Sequence, residues 1–175
     1  QNLFIHFEIK NIFKKKIILL QIETDKKNNF DSQCYNGLMN SSILSKLLKM
    51  TIQAGEIIMK FRENSFDYAI KDDNTPITHA DKASHEFLVN TLEEITPNIP
   101  ILSEESSHIP FSVRQSWSEY WLIDPLDGTR DFIDGSPDFC ISIAFIKDNY
   151  PTLGLIYSPF NKVHYYRLGN DPSIK

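Results

Sequence analysis

Two short apolar segments of this chain are each followed directly by carboxylates, and this feature constrains the fold more than any other. Residues 99–102 lead into Ser103 and Glu104, and residues 120–123 lead into Asp124. Uninterrupted apolar runs of this length are typical of strands that are buried on both faces. We therefore predict two core strands with acidic side chains at their ends, an arrangement that indicates a functional site.

Two helical patterns precede these strands. Apolar residues recur every three or four positions over residues 43–61 and again over residues 80–95. This spacing places them on one side of a helix, so both segments are predicted as amphipathic helices that pack on the sheet. We expect Ser42 to cap the first helix, and Thr78 with Asp81 to form a capping box for the second.

The remaining segments predict further strands. Alternation over residues 66–70 predicts a short strand that leads into a turn at 72–76, and residues 139–146 and 153–157 predict a hairpin. Helices followed by a sheet indicate a layered α+β or α/β/α architecture, and we predict the α+β class, with two helices packed on a mainly antiparallel sheet.

The composition excludes several classes of protein. The chain of 175 residues has 18 Lys and Arg against 23 Asp and Glu, so it lacks the basic surface that neutralises a nucleic-acid backbone. No apolar run approaches the ~18 residues of a membrane-spanning helix. Cys34 and Cys140 are far apart, which gives no support to a disulfide framework or a zinc site. A reducing, cytoplasmic location fits this composition best.

The most informative stretch is Asp-Pro-Leu-Asp-Gly-Thr, which begins at Asp124. The proline is predicted to turn the chain, so that Asp127 lies on the same side as Asp124. Two carboxylates and the Leu126 carbonyl are the oxygen ligands that magnesium prefers. Gly128 lets the backbone approach an anion, and Thr129 begins a short helix with a hydroxyl and main-chain amides. This combination indicates phosphoryl chemistry.

An ordinary structural interpretation of these residues stays open, because Asp-Pro and Asp-Gly pairs also mark simple turns. The functional interpretation is favoured because Glu104 ends a buried strand and Asp73 lies in a turn before the second helix. With Asp124 and Asp127, four separated carboxylates then point to one cleft. For Asp81 we keep helix capping as the role. The histidines share no metal-ligand spacing and are interpreted as surface or hydrogen-bonded side chains: His79, His85, His108 and His164.

Three ordered motifs make the chain resemble the inositol monophosphatase superfamily of magnesium-dependent, lithium-sensitive phosphatases. Residues 73–78 read Asp-Asn-Thr-Pro-Ile-Thr and are followed by Ala-Asp at 80–81. Residues 97–105 read Pro-Asn-Ile-Pro-Ile-Leu-Ser-Glu-Glu, and residues 121–133 read Trp-Leu-Ile-Asp-Pro-Leu-Asp-Gly-Thr-Arg-Asp-Phe-Ile. The resemblance runs from about Ile43 to the end of the chain and implies the layered α/β fold of the sugar phosphatases, of which this chain would be the N-terminal portion.

Within that superfamily the chain is most similar to the bacterial 3'(2'),5'-bisphosphate nucleotidase branch. Leu126 stands inside the aspartate motif, and Arg-Asp-Phe-Ile at 130–133 stands where that branch carries Lys-Glu-Phe-Ile. The resemblance implies hydrolysis of the 3'-phosphate of adenosine 3',5'-bisphosphate to AMP and phosphate, a step of sulfur assimilation. Inositol monophosphate or fructose bisphosphate is the alternative substrate. A catalytically inactive, truncated remnant is the alternative of another class.

The resemblance also implies a site and a cofactor. The metal ligands would be Glu104, Asp124, Leu126 through its carbonyl, and Asp127. The catalytic residues that orient and activate water would be Asp73, Glu104 and Thr129. The substrate phosphate would be held by Glu104, Leu126, Asp127, Gly128 and Thr129. The cofactor would be Mg²⁺, as two or three ions, with inhibition by lithium.

The family carries a further aspartate in a Trp-Asp-x-Ala-type motif in its C-terminal half, and no such motif precedes Lys175. We therefore expect residues 39–175 to form the N-terminal, metal-binding part of the phosphatase domain. Residues 1–38 are interpreted as an extension whose role stays open. The expected partner is a small nucleotide bisphosphate, with no nucleic acid and no transmembrane segment. A peripheral position on the cytoplasmic face of the inner membrane and the oligomeric state stay open.

Overall fold

The computed structural model of this chain describes residues 41–63, 68–70, 76–106 and 109–168. The predicted extension 1–38, Asp73 and His108 lie outside these described residues. Within them, the element order is α1 (Ser41–Glu63), β1 (Tyr68–Ile70), β2 (Pro76–Thr78), α2 (His79–Ile95), β3 (Ile101–Ser103), α3 (Phe111–Arg114), β4 (Glu119–Asp127), α4 (Thr129–Ile133), β5 (Cys140–Lys147), β6 (Tyr150–Ser158) and β7 (Val163–Leu168). The predicted α+β class is confirmed.

The main sheet has five strands in the order β3-β4-β5-β6-β7. The β3–β4 pair is parallel and the other three pairs are antiparallel, as the mainly antiparallel prediction requires. β1 and β2 form a separate antiparallel pair. The β5–β6 turn is tighter than the predicted loop, because Asp148 and Asn149 both adopt positive φ, the backbone of a two-residue hairpin turn. β6 therefore begins at Tyr150, earlier than predicted.

The two long helices pack on each other and on the sheet, α1 against β6 and α2 against β4. Both apolar stripes predicted from the sequence contribute to one core, although Ile52 of the first stripe is 39% exposed. The packing is close at Gly55, where an added Cβ would lie 2.6 Å from the Tyr157 ring, so a larger residue would force α1 away from β6. No helix in the described part of the chain is long and apolar enough to cross a membrane.

The helix starts follow the sequence in one case and not in the other. α2 begins with the predicted capping box: Thr78 accepts hydrogen bonds from the backbone amides of Ala80 and Asp81, and Asp81 accepts from the backbone amide of Thr78. α1 begins at Ser41, so Ser42 lies inside the helix, and the prediction that Ser42 caps it is wrong. The apolar pattern begins only at Ile43, so it does not show which of the preceding polar residues starts the helix.

His164 connects the last strand to α1. Its Nε2 lies 2.9 Å from Thr51 Oγ1, and its ring stacks on Tyr157 with centroids 4.3 Å apart. Burial lowers the pKa of His164 below its ordinary value of 6.5, and a hydrogen bond to the Leu48 backbone opposes this shift only in part. The neutral ring is therefore the form that fits this contact.

This contact predicts that stability depends on pH. The unfolded chain binds the His164 proton more readily than the native state, so this contribution is fully present above about pH 6.5 and is lost as the pH falls toward the lower native pKa. We expect the free energy of unfolding of the wild type to fall relative to that of His164→Gln in this window. Denaturant titrations of both proteins measure it, and a difference that stays constant with pH would contradict the prediction.

Candidate active site

The parallel pairing of β3 and β4 brings two of the predicted carboxylates together. Ser103 is in register with Ile123, and the Glu104 backbone amide donates to the Ile123 carbonyl at 3.0 Å. Glu104 and Asp124 therefore leave neighbouring strands at the same level. A side-chain hydrogen bond with Glu104 is one of the causes that raise the pKa of Asp124, which places the two carboxyl groups within reach of each other.

Asp124 is a buried residue of the described site whose pKa is raised by its surroundings. It is only 6% exposed. Burial raises its pKa well above the ordinary value, and the charges of Glu104 and Asp127 and the hydrogen bond with Glu104 raise it further. The Leu126 backbone amide, 3.2 Å from Asp124 Oδ1, opposes the shift. Three carboxylates thus act on one another at a position that water barely reaches.

A bulge in β4 explains how Asp127 comes to act on Asp124. Asp124 is in register with Ser142 and Asp127 with Cys140, so three steps along β4 match two along β5. The extra residue restores the two aspartates to the same side of the strand, which three regular steps would not do. The prediction that the proline at 125 turns the chain is wrong. The strand continues to Asp127, and proline is tolerated because a bulge leaves a residue outside the ladder.

Two hydroxyl groups lie against the carbonyl oxygens of the bulge, and the Ser84 hydroxyl holds it in place. Ser84 Oγ donates to the Pro125 carbonyl at 2.9 Å from the buried face of α2, and the Thr129 hydroxyl lies 3.1 Å from the Leu126 carbonyl. A role for Ser84 in the site was not predicted from the sequence. Its signal was a serine inside an otherwise apolar helical stripe, where a buried hydroxyl needs a partner.

Gly128 connects the bulge to α4 with φ of 90°, a backbone conformation that favours glycine. An added Cβ would lie 2.8 Å from the Asp138 carbonyl oxygen, so the site also demands the absence of a side chain. Beside it opens a cavity of about 340 Å³ that Asp127, Gly128 and Ser158 help to line. This geometry supports the predicted need for glycine, with the close approach made here by protein backbone.

Thr129 is hydrogen-bonded to Asp81, a residue that was predicted from the sequence to cap α2. Thr129 Oγ1 donates to Asp81 Oδ1 at 3.0 Å. The other oxygen, Oδ2, accepts from the Thr78 amide at 2.7 Å and from the Thr78 hydroxyl at 2.6 Å. The capping role is therefore present, and the same buried carboxylate also orients a predicted catalytic hydroxyl. A capping aspartate uses one carboxylate oxygen at the start of the helix, and its second oxygen can accept a further hydrogen bond. This property was the feature of the sequence from which the contact with Thr129 could have been predicted.

The donor set of this site suits a hard divalent cation. Carboxylate and carbonyl oxygens are the ligands that Mg²⁺ prefers, and a bound cation would offset the repulsion among ionised Glu104, Asp124 and Asp127 in place of the proton that Asp124 retains through its raised pKa. Among the described residues, however, no three side chains of histidine, cysteine, aspartate or glutamate are arranged so that they could hold one metal ion together. The Glu104 and Asp124 carboxyls contact each other, so the residues fit the ion by chemistry and must rearrange locally to bind it.

The predicted site residues that lie in the described part of the chain come together around one bulge. Glu104 reaches it from β3, while β4, Gly128 and the first residue of α4 supply the others: Asp124, Leu126, Asp127, Gly128 and Thr129. The catalytic role predicted for Asp73 stays a prediction, because that residue lies outside the described ranges.

The fold and the motifs of this site are those of a known class of protein. The chain belongs to the inositol monophosphatase family, whose sequence pattern matches residues 39–171. It is 42% identical over 131 residues to the 3'(2'),5'-bisphosphate nucleotidase CysQ of Aggregatibacter actinomycetemcomitans, a match that covers 75% of this chain and 49% of that protein. The chain thus spans about half the length of the curated relatives it matches. The predicted resemblance is confirmed.

Two solved structures extend the comparison. CysQ from Bacteroides thetaiotaomicron matches with a TM-score of 0.66 and 34% identity, over 78% of this chain and 49% of that one. An inositol monophosphatase/NADP phosphatase solved in complex with Mg²⁺ and phosphate matches with a TM-score of 0.64 and 22% identity, over 76% of this chain and 49% of that one. The second likeness bears on the fold alone.

Proposed function

We propose that the described residues form the metal-binding part of a Mg²⁺-dependent phosphatase that hydrolyses the 3'-phosphate of adenosine 3',5'-bisphosphate, with AMP and phosphate as products. The observation that carries this proposal is the buried Asp124 carboxyl between Glu104 and Asp127, whose pKa is raised by burial and further by repulsion from these two neighbours. A cation removes that repulsion and adds the charge that a phosphate substrate needs. The curated relatives named as bisphosphate nucleotidases support the choice of substrate.

Glu104, Asp124, the Leu126 carbonyl and Asp127 would hold the metal. When bound, Mg²⁺ supplies positive charge and Lewis acidity to the phosphate and to the attacking water. The number of ions, two or three, and inhibition by lithium belong to this proposal. The carboxylate and carbonyl oxygens of the site, which are the ligands that Mg²⁺ prefers, support the choice of metal.

Thr129 and Asp81 are proposed to orient the attacking water. The Thr129 hydroxyl donates its hydrogen bond to Asp81, which leaves the lone pairs of the hydroxyl oxygen to accept a hydrogen bond from water. The carboxylate strengthens that acceptance because charge-assisted hydrogen bonds polarise the hydroxyl. The pair can thus orient the water and accept its proton as the water oxygen attacks phosphorus. Residues 126–129 are proposed to hold the substrate phosphate beside it.

A substrate panel tests the proposal. The protein is expressed from its complete gene, and phosphate release is measured with adenosine 3',5'-bisphosphate, inositol 1-phosphate and fructose 1,6-bisphosphate, each with Mg²⁺ and with excess chelator. We expect Mg²⁺-dependent release that is fastest with the nucleotide. Faster release from inositol 1-phosphate or fructose 1,6-bisphosphate would assign that compound as the substrate in place of the nucleotide. The absence of Mg²⁺-dependent release from all three would contradict the phosphatase itself.

Glu104→Gln should lower kcat by about 100-fold, because an amide removes ligand charge and disturbs the placement of Asp124 beside it. The helix α2 should remain intact, which circular dichroism and thermal unfolding can verify. Glu94→Gln is the matched control, since Glu94 is exposed near the far end of α2 and should leave kcat unchanged. A Glu104 variant that raised KM and kept the wild-type kcat would assign Glu104 to substrate binding alone.

A further inference from the structure

His85 is a half-buried side chain of α2 that the proposed chemistry does not use, and it contacts the strand end that carries Glu104. Its Nδ1 lies 2.8 Å from Ser103 Oγ. Ser103 is the last residue of β3 and is only 3% exposed. The contact therefore joins the middle of α2 to the residue directly before a proposed metal ligand.

The same serine anchors the turn that presents Glu104. The Glu105 amide donates to the Ser103 hydroxyl at 3.3 Å, and the Ser106 amide donates to the Ser103 carbonyl at 3.2 Å. The Glu104 amide donates to the Ile123 carbonyl at 3.0 Å. All three amides of the turn thus have fixed acceptors, and two of those acceptors are atoms of Ser103. A hydroxyl can serve an imidazole nitrogen and this amide at once, because it has one proton and two lone pairs.

We propose that His85 is a positioning residue for Glu104. Its ring fixes the Ser103 hydroxyl, the hydroxyl fixes the turn, and the turn directs the Glu104 carboxylate toward Asp124. This inference rests on the proposed function, since it assigns His85 a part in metal binding without contact to metal or substrate. When the ring is removed, the carboxylate must be ordered at the moment the ion binds, and that ordering lowers the affinity.

The surroundings of His85 determine which substitution tests this role. On its other side the ring lines a groove of about 720 Å³ between α2 and residues 97–101. A small residue at 85 would let water from this groove reach Ser103 and replace the lost hydrogen bond in part. Leucine fills the volume and offers no polar atom, so His85→Leu removes the hydrogen bond cleanly. Asparagine keeps a polar atom near the Nδ1 position, so His85→Asn should restore the contact.

The experiment compares variants of the protein expressed from its complete gene. Mg²⁺ affinity is measured by calorimetry, and hydrogen exchange of the Glu105 amide is measured by NMR in the absence of metal. We expect His85→Leu and Ser103→Ala each to weaken Mg²⁺ binding about 10-fold and to accelerate exchange at Glu105. The double variant should be no weaker than either single one, because both remove the same link. His85→Asn should stay within about 2-fold of the wild type, since it keeps the hydrogen bond.

Asn90→Leu is the control, because Asn90 is an exposed residue of the same helix. Thermal unfolding identifies any variant that fails to fold. If His85→Leu fails to fold, the Mg²⁺ affinity and the Glu105 amide exchange of Ser103→Ala test the inference in its place. Wild-type Mg²⁺ affinity in folded His85→Leu, or unchanged exchange at Glu105 in it, would overturn the inference and leave the proposed function standing. A wild type that binds no Mg²⁺ would overturn the proposed function and the inference with it.

Discussion

Asp124→Asn is expected to abolish Mg²⁺-dependent phosphate release and to stabilise the metal-free protein. Activity should fall by about 100- to 1,000-fold, because the central carboxylate of the proposed metal site is lost. Stability should rise because asparagine is neutral at every pH and removes the cost of a buried carboxyl that must either ionise beside Glu104 and Asp127 or hold a proton above its ordinary pKa. The new amide can donate to Glu104, and its oxygen can keep the hydrogen bond from the Leu126 amide. The gain is about 1 kcal/mol or more in the free energy of unfolding.

Phosphate release and chelator-treated denaturant titrations measure the two effects on the same samples. Asp148→Asn is the matched control: Asp148 is exposed in the β5–β6 turn, and asparagine tolerates its positive φ. The control should change neither activity nor Mg²⁺ affinity. An Asp124 variant with near wild-type turnover at limiting Mg²⁺ would remove this residue from the mechanism. A variant that is less stable without metal would show that Asp124 has a structural role that outweighs its repulsion.

Thr129→Val is expected to lower kcat by about 100-fold or more while changing Mg²⁺ affinity much less. Valine keeps the volume of threonine and loses the hydroxyl that Asp81 orients. Asp81→Asn should also lower kcat, because its amide or its carbonyl cannot polarise the hydroxyl as a carboxylate does. The double variant should be little worse than Thr129→Val, since both changes remove one function.

Thr91→Val is the control for this pair, because the Thr91 hydroxyl on α2 donates to the Phe87 carbonyl of its own helix. It should leave kcat at the wild-type value. Effects of Thr129→Val and Asp81→Asn that multiply fully in the double variant would contradict a shared role. Asp81 also caps α2, so unfolding curves must accompany its kinetics.

Local sequence signals predicted the elements that local physics determines. The capping box of Thr78 and Asp81 involves atoms three residues apart, and the helical stripes repeat within one or two turns. The proximity of Glu104 and Asp124 was also predictable in part, because each ends a buried apolar run. Parallel pairing of those two runs then places the residues side by side.

The features that the sequence did not reveal depend on distant partners. The bulge at residue 125 is defined by the register of β4 against β5, which no local pattern carries. Asp81 meets Thr129 across 48 positions, and Ser84 meets Pro125 across 41. His85 was interpreted as a surface or hydrogen-bonded histidine, and its hydrogen bond to Ser103 became visible only once α2 was placed beside β3.

A crystal of the protein grown with Mn²⁺ as a substitute for Mg²⁺ tests the central claim most directly. Anomalous diffraction locates the ion without reference to activity or substrate. We predict an anomalous peak at metal-ligand distance, about 2.1 Å, from carboxylate oxygens of Glu104 and Asp124, with the direct contact between those two carboxyls broken. A well-ordered crystal with no peak at these carboxylates, or with Mn²⁺ bound only elsewhere, would contradict the metal site on which the proposed phosphatase depends.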